Sequence, residues 1–269
     1  MLREAGDDLQ PAAVAVAFVS CFLFFLQLRI ADEFKDIEED RAHRPYRPVP
    51  RGLVSLRELG WVFVGAAAIQ LALALWLMPP MVGLLAVVWI YLAAMSKEFF
   101  LRSWIENKPV TYLWTHMLIM PLIDLYATTC DWMMAGAQPP PALGWFLVAS
   151  FFNGMVIEIG RKIRSPVDEE GGVKTYTVLW GRPAAVGAWW AMMVLTAVFA
   201  LGGALAIERP EPVAVGMGLV GTAGLIVGWR FLKNPGPGDG KKFEGVSFFW
   251  TLALYLGLGA IPLAWKWMA

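Results

Sequence analysis

Charge is scarce in this chain: of 269 residues only 16% are Asp, Glu, Lys or Arg, while 58% are hydrophobic. A soluble domain carries about 25% charged residues, so the deficit excludes an ordinary water-soluble fold and reads as a membrane protein. Cysteine is almost missing too. Only Cys21 and Cys130 are present, and the segments below place them on opposite halves of a membrane, so no disulfide is expected. Low-complexity tracts are absent, and the Gly/Pro run at 234–240 (NPGPGDG) reads as a flexible loop. Nor is a cleavable leader expected in this sequence: residues 1–10 hold Arg3 but also Glu4, Asp7 and Asp8, with no basic n-region or small-residue cleavage site. No nucleic-acid partner is expected.

What the chain does have is apolar runs. Eight are long enough, or nearly so, to cross a bilayer: 11–30, 59–77, 81–96, 109–127, 142–160, 184–204, 212–229 and 247–265, the third being the shortest. Cytoplasmic loops carry an excess of Lys and Arg. With eight spans, 19 of the 22 Lys and Arg residues fall in alternate connections and only Arg3, Arg209 and Lys266 fall on the other side. The expectation is an all-α polytopic protein of the bacterial inner membrane with both termini outside and its charged loops cytoplasmic.

Two of those loops resemble each other. The first span runs into ADEFKDIEEDRAHRPYRPVPRG (31–52), and four spans later the fifth runs into EIGRKIRSPVDEEGGVKTYTVLWG (158–181). Each combines acids, bases, proline and glycine. A parallel duplication of four-helix units, 1–127 and 128–269, gives this pattern and is expected to bring both charged loops to one central cavity.

The first loop has a readable chemistry. Asp32, Asp36 and Asp40 fall at i, i+4 and i+8, on one face of a helix continuing out of the first span. Like charges at that spacing repel unless a cation sits between them, and Mg²⁺ accepts one or two carboxylates together with phosphate oxygens. Pro45 ends the helix, and the guanidinium forks of Arg44, Arg47 and Arg51 suit a diphosphate. The set describes a site for an ionic head whose tail lies in the bilayer. The competing reading is a solvated juxtamembrane helix whose acids and bases pair with one another.

These residues resemble the UbiA superfamily of intramembrane prenyltransferases. Its first signature, an Asn or Asp with aspartates four and eight residues on and an Arg-Pro stretch closing in Gly, is met by Asp32, Asp36, Asp40, Arg47, Pro48, Pro50 and Gly52. Its second is met by Gly172, Val173, Lys174, Thr175, Trp180 and Gly181. The resemblance covers nearly the whole chain and implies Mg²⁺-dependent ionisation of an allylic isoprenyl diphosphate, with transfer to an aromatic or lipid acceptor. It implies catalytic roles for Asp36 and Asp40, and Lys162, where the second motif departs from the family's, is expected to join them by holding diphosphate directly. Metal would be held by Asp32, Asp36, Asp40, Glu158 and Asp168, and diphosphate by Arg44, Arg47, Arg51, Arg161, Lys162, Arg164 and Lys174.

Two departures qualify the likeness. Family members usually have a span before the helix of the first motif, where this sequence has ten residues, and they usually offer two aspartates four apart in the second motif, where this sequence has Glu158 and Lys162. The altered second motif keeps a terpene cyclase of the same superfamily in view, in which an alkene of the substrate captures the cation. A divalent-metal permease is the reading from another class, though permeases place ligands near the bilayer midplane rather than at helix ends. Inside the spans His116, Asp124 and Asn153 stand out as polar. His116 and Asp124 are read either as acceptor-positioning or basic groups or as structural ones, and neither is placed among the catalytic residues.

Overall fold

The structure, a computed structural model, describes residues 10–105 and 108–268; the rest of the lead-in before Gln10 lies outside them. All regular structure among the described residues is helical. In hydrocarbon this follows from hydrogen bonding, because a helix satisfies every backbone group within its own segment.

Six stretches are long and apolar enough to cross a membrane: α1 (Pro11–Lys35), α3 (Leu56–Leu77), α8 (Leu143–Arg161), α10 (Arg182–Ala206), α11 (Glu211–Lys233) and the continuous helical run Asp239–Lys266. The short α2 (Ile37–His43) follows α1. Helix α4 (Met81–Ser96) keeps the expected limits but has 16 residues, about 24 Å of rise against a hydrocarbon core about 30 Å thick. The expected span at 109–127 is two helices rather than one, α6 (Pro109–Met117) and α7 (Ile119–Met134), separated at Leu118. The short α5 (Arg102–Ile105) precedes them. Pro121 accounts for the break, since its ring clashes with the carbonyl of Met117 and it offers no N–H to that turn. Pro262 does the same to the last run, in which α12 (Asp239–Tyr255) passes through a π-turn at Leu256–Ala260 into α13 (Ile261–Met268). Of the eight expected stretches six are thus long, apolar helices, 81–96 is a shorter apolar helix and 109–127 is a broken pair, so the count of eight is not confirmed. Large apolar side chains such as Phe18, Trp61, Ile90 and Leu219 lie on exposed helix faces, as contact with lipid requires.

Two compact units divide the chain, one ending at Pro139 and the other beginning at Pro140. The boundary expected at 127/128 falls inside α7; the chain parts instead at three successive prolines, Pro139 to Pro141, which no helix can continue through. In the first unit α1 packs on α3 and α7, and α4 on α7. Phe24 meets Tyr126 edge to face at 5.4 Å in this core, and the buried Gln70 accepts from Trp89 Nε1 (3.0 Å) and donates to the Ser20 carbonyl (3.2 Å). Between α4 and α5 the backbone makes a left-handed turn. Glu98, Phe99 and Phe100 have φ of 50°, 51° and 60°, a conformation costing a non-glycine residue about 1–2 kcal/mol.

In the second unit α8 packs on α10 and α12. Gly160 makes this contact possible, because a Cβ there would lie 2.3 Å from Ser247 Oγ and 3.3 Å from the Phe243 carbonyl. Trp189 Nε1 seals the crossing by donating to the Val156 carbonyl (3.2 Å) and Ser247 Oγ (3.1 Å). Gly160→Ala is expected to destabilise the protein by about 1–3 kcal/mol through overpacking. Its thermal midpoint in detergent should fall, and an unchanged midpoint would refute this packing.

Candidate active site

The first charged end begins where α1 stops. Backbone bonds carry the helical pattern across the break: Asp36 N–H donates to the Asp32 carbonyl (2.9 Å), Asp40 N–H to Asp36 (2.8 Å) and Arg44 N–H to Asp40 (2.8 Å). The three aspartates thus occupy successive turns, as their spacing predicts. Beyond Arg44 the chain coils through the Arg-Pro stretch, with Arg47 N–H on the Arg44 carbonyl (3.0 Å) and Arg51 N–H on Arg47 (3.0 Å). Gly52 closes it at φ 79°, a value that favours glycine.

The acids do not share one environment. Asp40 is buried, with 1% of its side chain exposed, and accepts hydrogen bonds from Arg47 and from Arg44 Nη1 (3.4 Å). Burial works against the Arg47 charge, yet the hydrogen bond to Asp40 and the charges of Asp40, Glu33 and Asp36 hold its pKa above the ordinary value. Asp36 is half-buried at the helix break, and its carboxylate makes no hydrogen bond or ion pair among the described residues. Asp32 is half-buried and Arg51 exposed. A further acid, Glu33, is buried beside them. It pairs with Arg29, while its Oε2 has no hydrogen-bond partner. Sequence reasoning passed over Glu33, although the buried stripe of α1 through Leu23, Gln27 and Ile30 leads directly to it.

The back of this helix end is tied down. Lys35 Nζ donates to Tyr112 Oη (2.9 Å) and pairs with Glu98 Oε1 (3.2 Å), whose Oε2 faces His116 Nε2 at 3.2 Å. His116 Nδ1 lies 2.9 Å from the Tyr112 carbonyl, and its ring stacks on Tyr112 with centroids 3.8 Å apart. Burial disfavours the Glu98 carboxylate, but its His116 and Lys35 partners hold its pKa below the usual carboxylate value. Glu98 and Lys35 also escaped the sequence reading, because nothing in a basic loop marks one carboxylate as buried.

At the second charged end, Glu158 is buried near the foot of α8 and pairs with Arg161 Nη2 (2.9 Å) and Lys162 Nζ (2.7 Å). Lys162 Nζ also stands 5.8 Å from the centroid of the Tyr176 ring, in the short helix α9 (Tyr176–Trp180). The other expected residues are engaged in the loop's own fold. Arg164 Nη1 pairs with Glu244 Oε1 at 2.8 Å. Asp168 accepts from Ser165 Oγ (2.6 Å) and the Gly238 N–H (2.8 Å), bonds that hold its pKa below the ordinary value. Glu169 receives the Thr175 and Thr177 hydroxyls at 2.8 and 2.6 Å. Lys174 is exposed, and Gly181 at φ 79° turns the chain into α10. Within α8, Asn153 accepts from Thr251 Oγ1 at 3.1 Å, a tie to α12. Asp124 is 9% exposed on α7.

Among the described residues no three His, Cys, Asp or Glu side chains gather into a metal cage. Mg²⁺ does not need one, since it keeps several waters and binds through one or two carboxylates plus substrate phosphates. The hard oxygens of Asp32 and Asp36, one turn apart and with Asp36 uncommitted, fit that mode; Asp40, taken up by two guanidiniums, fits it less well.

The UbiA prenyltransferase family model matches residues 1–253. Over 232 residues the chain is 28% identical to the digeranylgeranylglyceryl phosphate synthase of Methanopyrus kandleri, covering 85% of this chain and 73% of that protein. Over 263 residues it is 21% identical to the diterpene cyclase eriG of Hericium erinaceus, covering 93% and 78%. Its fold matches the apo structure of a UbiA homolog from Aeropyrum pernix K1 with a TM-score of 0.70, at 14% identity and covering 93% and 90% of the two chains. With the family match running from the first residue almost to the last helix, and the membrane-type helical fold shared with a family structure, this chain belongs to the UbiA prenyltransferase family.

Proposed function

We propose that the protein is a Mg²⁺-dependent prenyltransferase that ionises an allylic isoprenyl diphosphate and passes the prenyl group to an aromatic or lipid acceptor. The observation that carries this reading is the row of Asp32, Asp36 and Asp40 on successive turns, leading into Arg44 and Arg47. Ionisation leaves a delocalised carbocation and a diphosphate anion. Mg²⁺ would be held by Asp32 and Asp36 and would supply positive charge to the departing anion. Asp32 and Asp36 orient that charge, while Asp40 holds the Arg44 and Arg47 guanidiniums in place. At the second end Arg161 and Lys162, both paired with Glu158, are proposed to supply positive charge to the leaving group. The chain's many Trp, Phe and Tyr residues permit an aromatic lining that would stabilise the cation.

The relative named for digeranylgeranylglyceryl phosphate synthesis supports transfer to a lipid acceptor. A second reading, cyclisation of the diphosphate alone, is favoured by the replacement of a second aspartate pair with the Glu158–Lys162 ion pair and by the relative named a diterpene cyclase. Purified protein in lipid, given Mg²⁺ and farnesyl, geranylgeranyl or longer diphosphates, separates the two. Diphosphate release that rises at least about tenfold on adding an aromatic or glycerophosphate acceptor is the expected result. Acceptor-independent release with a cyclised hydrocarbon product would replace transfer by cyclisation, and no turnover across the panel would refute both. The acidic loops are proposed to lie on the cytoplasmic side, following the distribution of Lys and Arg. Cysteine labelling that reached positions 40 and 168 from opposite sides would contradict that.

A further inference from the structure

The contacts behind the acidic motif have no part in the chemistry above, yet they are its most heavily built support. Lys35 is the last residue of α1, immediately before the break at Asp36. Its side chain is 13% exposed, and its ammonium is held by Glu98, itself 8% exposed at the side chain, and by the Tyr112 hydroxyl. His116, 5% exposed, closes the set against the other Glu98 oxygen. Phe99 lies edge-on to the His116 ring with centroids 6.0 Å apart. Glu98 reaches both Lys35 and His116 only because the chain turns left-handed through Glu98, Phe99 and Phe100, none of them glycine. A strained turn persists where its surroundings over-determine it, and here the determinants are the Lys35 ion pair and the 3.2 Å approach of His116 Nε2, both on one carboxylate.

We infer that Lys35, Glu98 and His116 form a buried latch that fixes the end of α1 and thereby positions Asp32, Asp36 and Asp40 for metal and diphosphate. This rests on the proposed function for its purpose, though not for its geometry. These three are positioning residues. None is exposed enough to meet substrate, and their effect travels through the backbone of one helix turn. The break at Asp36 gives the latch its purpose, because only backbone hydrogen bonds carry the helical pattern across it and neighbouring carboxylates at this spacing repel. Lys35 anchors the turn just before the break.

Glu98→Gln keeps the side chain's length and removes its charge. In metal-free protein, hydrogen exchange at the amides of residues 36–40 should speed up roughly tenfold while amides of α8 and α12 stay unchanged. Mn²⁺ binding, followed by its electron paramagnetic resonance signal, should weaken about fivefold, and the Mg²⁺ concentration for half-maximal diphosphate release should rise in parallel. His116→Gln cuts the latch from its other side and must give the same local pattern. Phe100→Gly is the control: Phe100 is 83% exposed, and glycine adopts its φ without penalty, so exchange at 36–40 should not change. If Glu98→Gln folds poorly, the comparison is made in the Phe100→Gly background. Exchange that quickens equally in every helix, or not at all at 36–40, overturns the latch. Wild-type protein that releases no diphosphate at any Mg²⁺ concentration overturns the prenyltransferase reading instead, and the exchange pattern then decides the latch by itself.

Discussion

Replacing Asp36 by alanine is expected to cut diphosphate release about a hundredfold or more, some 2.7 kcal/mol of transition-state stabilisation, without unfolding the protein. The carboxylate sits half-buried at a helix break and makes no side-chain bond among the described residues. Alanine therefore removes no side-chain hydrogen bond, only the attraction of this charge to Arg47 and Lys35, which relief of repulsion along the row Asp32, Asp36 and Asp40 offsets, so stability should change little. Asp40 forms an instructive contrast. Its buried carboxylate is the anchor of Arg44 and Arg47, so Asp40→Ala loses those hydrogen bonds and should cost about 1–3 kcal/mol of stability in addition to activity. Circular dichroism melts alongside a diphosphate assay separate the cases. An Asp36→Ala protein near wild-type rate at limiting Mg²⁺ would move the metal role to another acid, and Glu33, with its unpartnered Oε2, would be the first to examine.

Loss of Lys162 is expected to be as damaging but of a different kind. Glu158 pairs with both Lys162 and Arg161, so Lys162→Ala does not leave a buried carboxylate bare and the fold should survive. A direct charge-assisted contact to the leaving group is worth roughly 1.5–3 kcal/mol, about ten- to a hundredfold in rate. Adding metal cannot replace it. Asp32→Asn, which weakens a metal site, should instead raise the Mg²⁺ requirement and recover part of its rate at high Mg²⁺. The alternative is that Arg161 and Lys162 only obey the bias of basic residues toward the cytoplasm, in which case their replacement alters orientation rather than rate. Release measured against Mg²⁺, in protein of verified orientation, settles the matter. A Lys162→Ala variant rescued by metal, or one at full rate, would show that this end does not neutralise the diphosphate.

Much of the molecule is legible from residue spacing alone. The long apolar runs become helices because lipid leaves the backbone no other partner, and α4 begins and ends where its apolar run does. The break at Leu118 was legible in principle, as Pro121 lies inside an otherwise continuous run. The polar start of α12 was not, because residues 239–244 carry four charges and look like loop. In the site, the period of four in Asp32, Asp36 and Asp40 survives directly as backbone geometry. Who pairs with whom does not follow from period. Arg164 meeting Glu244, Asp168 meeting the Gly238 N–H and Glu98 meeting Lys35 are contacts between distant segments, decided by how helices pack. The left-handed turn at Glu98–Phe100 has no glycine to announce it.

The central claim is that carbon–oxygen ionisation of an allylic diphosphate is the chemical step. The most direct measurement compares Mg²⁺-dependent diphosphate release from geranylgeranyl diphosphate and from its homoallylic relative isopentenyl diphosphate, using wild-type protein in lipid with acceptor present. The account predicts release from the allylic substrate only, because only that cation is delocalised. Equal release from both would mean simple hydrolysis at phosphorus, and release from neither of these, nor from farnesyl and longer diphosphates, at any Mg²⁺ concentration, would rule ionisation out.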